Sequence, residues 1–142
     1  MHGRHGAHGG GIEQMIPRAL ERAKPSLNLD PSQLAMWDSV VAQGEAARQA
    51  GWANLQTARD ALTTELAKAE PDLAAVAAAA DGVEQQNRAL RRQVRDQWLA
   101  LYATFTPEQK AVVRGVLQRK VARAEAFRQK IRERLNAGPA GS

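Results

Sequence analysis

Apolar residues return at steps of three and four along almost the whole chain, and no stretch alternates apolar with polar, so the pattern predicts helices and no strands. A short helix is expected over Ile12 to Lys24, with Ile12, Met15, Ile16, Ala19, Leu20 and Ala23 on one side and Pro17 limiting how early it begins. Residues 25–29 link it to a second helix from Pro31 to about Ala69, marked by Leu34, Trp37, Val41, Gly44, Leu55, Ala58, Leu62 and Leu66. As one helix this segment is about 58 Å long, and Gly44 and Gly51 inside it predict a bend or the close approach of another backbone. Glu70-Pro71-Asp72 reads as a hairpin turn with Pro71 at the first position of a third helix. That helix carries the cleanest heptad, Leu73, Val76, Ala80, Val83, Asn87, Leu90 and Val94, continued by Trp98, Leu101 and Phe105. A fourth helix from Pro107 to Leu135 keeps Val113, Leu117, Val121, Ala124, Ile131 and Leu135 on one face and is stopped by Gly138-Pro139.

Two of these helices start on the same phrase. Leu29-Asp30-Pro31-Ser32-Gln33 and Phe105-Thr106-Pro107-Glu108-Gln109 lie 76 residues apart. Each places an N-cap acceptor (Asp30, Thr106), a proline at N1 where its missing N–H costs nothing (Pro31, Pro107) and a glutamine at N3 that closes a capping box (Gln33, Gln109). Leu29 and Phe105 occupy N′, the position from which an apolar side chain staples the first turn.

Short connections make successive helices antiparallel. The expected architecture is all-α: a long antiparallel hairpin, preceded by a short N-terminal helix and followed by a C-terminal helix that folds back. One helical domain is expected over residues 12–136, between a disordered His/Gly-rich segment at 1–11 and a disordered tail at 137–142. The chain is 142 residues long with 44% hydrophobic but only 4% aromatic residues, much of the former alanine, which implies thin helical packing. Cysteine is absent, so stability rests on packing and on a subunit partner, and a C2 homodimer is the commonest way to cover the apolar stripes that thin packing leaves exposed. No apolar run reaches the ~18 residues of a membrane span, and the first residues hold no signal-peptide core. Charge is uneven: from Pro107 to Asn136 nine basic side chains face three acidic ones, so this helix alone is more positive than the whole chain at +5, and it attracts anionic partners.

The paired phrase resembles the "LTxxQ" motifs of the Spy/CpxP family of small periplasmic proteins. Leu27 to Gln33 is similar to the first motif with its lead-in, and Trp98 to Lys110 to the second with the helix end before it; Asp30 in place of threonine and Phe105 in place of leucine keep the capping and stapling chemistry. The resemblance spans Leu27 to about Leu135 and implies a cradle-like antiparallel homodimer that acts as an ATP-independent chaperone, suppressing aggregation of unfolded or partly folded clients on a basic and apolar concave face. It implies a periplasmic location, with a signal peptide or N-terminal anchor ahead of residue 1. The alternative it carries is a metal-responsive sensor of the CnrX/ZraP type, or a stress-pathway regulator that binds an envelope-stress sensor kinase.

By alignment with the motifs, Leu27, Leu29, Trp37 and Val41 fall where the family places client-binding apolar residues, against the plain reading of Trp37 and Val41 as core. Arg91 and Arg95, in a cluster with Arg88 and Arg92, are the basic candidates for client contact; the plain reading is a solvated face paired with Asp81, Glu84 and Asp96. His2, His5 and His8 form a weak candidate site for Ni, Cu or Zn, and no other cofactor is expected. Enzyme chemistry is not expected: there is no cysteine, no histidine after residue 8 and no phosphate-binding loop. Nor is nucleic-acid binding, since the basic helix belongs to no DNA-binding motif.

Overall fold

The computed structural model describes residues 11–138, and these form four α-helices, one 3-10 turn and no strand. The helices are α1 (Gly11–Ala23), followed by the 3-10 turn Lys24–Ser26, α2 (Pro31–Leu66), α3 (Leu73–Tyr102) and α4 (Pro107–Ala137). The fold is all-α, as the periodicity predicts. The segments 1–10 and 139–142, including His2, His5 and His8, lie outside the described residues. The chain divides into two compact units, Asp30–Thr104 in one, Met1–Leu29 with Phe105–Ser142 in the other.

The Asp30–Thr104 unit is the hairpin of α2 and α3. Its buried side chains are Gln33, Trp37 and Val40 from α2 and Val83, Trp98 and Leu101 from α3. Trp37 and Trp98, each 4% exposed, meet edge to face with ring centroids 4.9 Å apart. Farther along, Asn54 Nδ2 donates to Asn87 Oδ1 at 2.9 Å, a polar pair in the seam of the kind that fixes helix register. Gly44 and Gly51 face α3: a Cβ at Gly44 would lie 3.8 Å from Val94 Cγ1 and one at Gly51 3.6 Å from Asn87 Oδ1. Both are ordinary contact distances, so alanine fits at either position and the close approach expected there is mild.

The seam of α2 differs from the expected stripe. Its covered positions run Gln33, Trp37, Val40, Gly44, Ala47, Gly51, Asn54, Ala58, Ala61 and Glu65, at strict steps of four and three. Beyond Val40 this seam is built of small and polar residues. Leu34, Val41, Trp52, Leu55, Leu62 and Leu66 are all exposed. They sit one position after a seam residue, which turns them about 100° away around the helix. Beyond Val40 the large apolar residues of α2 therefore face solvent, and the small and polar ones face α3.

At the turn, α2 ends at Leu66 rather than Ala69, and Pro71 precedes the next helix instead of starting it. Asp72 is the N-cap of α3, its carboxylate accepting from Ala75 N at 3.1 Å; aspartate is a strong N-cap, and that chemistry prevails over proline's preference for N1.

In the other unit α1 packs on α4, and Ala19, Leu20, Ala23, Leu27, Phe105, Val113 and Val116 form its core. Helix α1 runs through Pro17 from Gly11, so the proline sits within the helix and not at its start. Asn28 adopts a left-handed conformation, φ 50°, which asparagine tolerates and which turns the chain from the 3-10 end toward Asp30. Of the stripe expected on α4, Val113 is buried and Leu117 half-buried, whereas Val121, Ile131 and Leu135 are exposed together with Phe127. The reason is length: 13 residues in α1 against 31 in α4 span about 20 Å against about 46 Å. Gly138 closes α4 in a right-handed conformation with its N–H on Arg134 O, so the left-handed glycine cap is not used.

Candidate functional site

Both copies of the repeated phrase form full capping boxes. Gln33 N donates to Asp30 Oδ1 at 2.7 Å and Asp30 N to Gln33 Oε1 at 3.1 Å. At the second copy Gln109 N donates to Thr106 Oγ1 at 3.1 Å and Thr106 N to Gln109 Oε1 at 2.9 Å. Asp30 and Thr106 hold extended backbones and the prolines sit at the first helical turn, as the phrase predicts.

The glutamines also do something the phrase alone does not reveal. Their amide nitrogens reach far along the chain: Gln33 Nε2 donates to Thr104 O at 3.1 Å, and Gln109 Nε2 to Leu27 O at 3.0 Å. In each case the acceptor belongs to a tight turn that ends an earlier helix. Thr104 closes α3 by donating its N–H and its hydroxyl to Leu101 O, and Leu27 closes the 3-10 turn by donating to Lys24 O. Both glutamines are buried, at 5% and 8% exposure. Each motif is thus a joint in which one side chain caps its own helix and holds the end of another.

The six candidate client-binding residues differ in exposure. Leu27 and Trp37 are core side chains, Leu29 is half-buried, and Val41 is exposed at 45%. Arg91 and Arg88 both approach Glu84, at 3.3 and 3.6 Å, and Arg95 lies 3.0 Å from Asp96. Such surface pairs contribute little to stability. The cluster lies on the same α2–α3 hairpin as the exposed leucines of α2. Trp52, 58% exposed, belongs to that apolar stripe, whose leucines the hydrophobic periodicity of α2 assigns to the covered side because it favours the largest residues there.

One electrostatic detail braces the far end of the hairpin. Glu65 Oε2 accepts from Lys68 Nζ at 2.8 Å and Oε1 from Asp72 N at 2.9 Å. The Lys68 bond, then the Asp72 N–H, hold the Glu65 carboxyl below its ordinary range, and Glu65 raises Lys68 in turn. A depressed carboxylate adds stability above its unfolded-state pKa and loses it as pH falls through the folded value. In an NMR pH titration Glu65 is expected to protonate below the ordinary range of a glutamate; titration at the ordinary value would contradict this bracing.

Among the described residues no group of three histidine, cysteine, aspartate or glutamate side chains is placed to hold a metal ion, and no helix is long and apolar enough to cross a membrane. The features that stand out are two buried glutamine joints, an uncovered apolar stripe on α2 and a set of arginines on α3 of the same hairpin. Together they mark an all-helical protein built around two capped joints. The model of the LTXXQ motif family matches residues 16–116, which takes in both joints, and the chain belongs to that family, which contains the Spy/CpxP-type periplasmic proteins. No curated protein and no solved structure matches the chain.

Proposed function

We propose that this protein is a periplasmic, ATP-independent chaperone that acts as a homodimer and holds unfolded or partly folded proteins on exposed apolar and basic surface. The observation that carries this is the stripe Leu34, Val41, Trp52, Leu55, Leu62 and Leu66, left uncovered along α2 while smaller residues fill the seam. A stripe of this kind on a slender helix offers many shallow contacts and no deep pocket. Covering one half-exposed leucine gains about 1 kcal/mol, and ordering a flexible client offsets much of the sum, so binding is weak, reversible and independent of nucleotide. Asp38, Glu45, Arg48 and Arg59 interrupt the stripe, and the arginines of α3 add a second, charged component suited to varied sequences.

The test is light scattering of a chemically denatured client diluted into buffer without ATP. The protein at several-fold molar excess is expected to suppress aggregation, and the combined variant Leu34→Ser, Val41→Ser, Leu55→Ser, Leu62→Ser to lose most of that effect while melting within a few degrees of the wild type. Full suppression by the folded variant would overturn the assignment to this stripe; no suppression by the wild type would overturn the function.

A further inference from the structure

A second feature, in the α1–α4 unit, is independent of the client surface. Where the 3-10 turn leaves α1, an open cleft of about 420 Å³ lies between that turn and α4. Arg22 and Ser26 line one side and Arg119 and Arg123 the other, over a floor that includes Val112 and Val116. Arg18 and Lys120 add to the same cluster: burial pushes the Lys120 ammonium below its ordinary range, and the charges of Arg18, Arg22 and Arg123 push it further. No described carboxylate lies within ion-pair distance of any of these five cations, although exposed arginines elsewhere in the molecule, such as Arg48, Arg88 and Arg91, do find one. Like charges gathered from two helices around one cleft repel, and Lys120 feels that repulsion in addition to its burial. What would relieve it is an anion of more than one charge, with acceptor oxygens enough for several guanidinium forks.

We propose that this cleft binds a phosphate group, with Arg22, Arg119 and Arg123 as its charged donors and the Ser26 hydroxyl as a neutral one. Phosphate is favoured over a single carboxylate because three arginines converge and one carboxylate cannot satisfy them. The cleft is also larger than a phosphate ion, and its valine floor accommodates an organic group attached to the phosphate. That group belongs either to a soluble phosphate ester or to a lipid headgroup, and the two sources are separated by experiment.

Pyrophosphate is titrated into the full chain by calorimetry at constant ionic strength, and in a parallel arm flotation is measured with phosphatidylcholine vesicles with and without phosphatidic acid. Saturable binding is expected in at least one arm, weakened about tenfold or more by Arg22→Gln with Arg119→Gln. Arg132→Gln with Arg134→Gln, which removes equal charge from the exposed far end of α4, is expected to change it less than about twofold. Saturating pyrophosphate should also raise the titration of the Lys120 side chain. Binding in the pyrophosphate arm identifies a soluble source, and binding in the vesicle arm alone a headgroup. Absence of saturable binding in both arms, or equal weakening by the two double variants, would overturn the proposal. Because no step involves an unfolded client, loss of aggregation suppression with pyrophosphate binding intact would count against the chaperone assignment and not against this site.

Discussion

Trp98→Ala is expected to lower the unfolding free energy by about 3–5 kcal/mol, the usual cost of emptying a buried tryptophan site. Trp98 is 4% exposed and meets Trp37 edge on, so Trp37→Ala should cost a similar amount. The double variant should cost less than the sum by about 0.5–1.5 kcal/mol, the coupling of an aromatic pair. Trp52→Ala is the internal control: with 58% of its surface in solvent, it should change stability by no more than about 0.5 kcal/mol. Denaturant unfolding of the four variants checks all of this. Equal losses at Trp52 and Trp98 would mean that the exposed stripe of α2 is covered in solution.

The second large effect falls on Gln109. Gln109→Ala removes the acceptor for Thr106 N–H and the donor to Leu27 O, leaving a buried carbonyl without its partner, and should cost about 2–3 kcal/mol. Gln109→Glu is the sharper probe. It keeps an acceptor for Thr106 N–H but sets a carboxylate oxygen against the Leu27 carbonyl, so at neutral pH it should be nearly as damaging. When protonated, the new carboxyl can donate to Leu27 O again. The folded state then binds the proton more tightly than the unfolded state, the variant's stability is greatest at low pH, and it declines as pH rises through the carboxyl's folded-state pKa. A glutamate variant with the pH profile of the wild type would show that the long-range bond contributes nothing. Gln33→Ala should cost less, about 1 kcal/mol, because its distant acceptor Thr104 is exposed and can turn to water. If either glutamine variant kept its stability but lost client binding, the motif itself would be the binding surface.

The helices, the two capped starts and the hairpin were legible because they rest on local chemistry. Asp30-Pro31-x-Gln33 and Thr106-Pro107-x-Gln109 specify helix starts by adjacency alone. What escaped was non-local. Glutamate closes a capping box as well as glutamine and suits a helix N-terminus better, so the choice of an amide at both Gln33 and Gln109 was the available sign that a donor is needed. The seam of α2 was misassigned for a related reason: hydrophobic periodicity ranks positions by size, but a close-packed antiparallel pair fills its seam with Gly44, Ala47, Gly51, Ala58 and Ala61 and turns Leu55 and Leu62 outward. The motif-based client candidates differ in burial, Leu27 and Trp37 being core side chains and Val41 exposed, because position in the motif does not by itself tell which way a side chain faces. The cluster around Arg119 and Arg123 was visible only as net charge until α1 brought Arg22 beside it.

The claim that clients lie on the exposed stripe of α2 is tested most directly by the fluorescence of Trp52. In a Trp37→Phe, Trp98→Phe variant, which keeps the aromatic pair and leaves one tryptophan, Trp52 should emit as a solvent-exposed indole, and addition of an unfolded client lacking tryptophan should shift that emission to shorter wavelength in a saturable manner. Suppressed client aggregation with Trp52 emission unchanged would contradict the account.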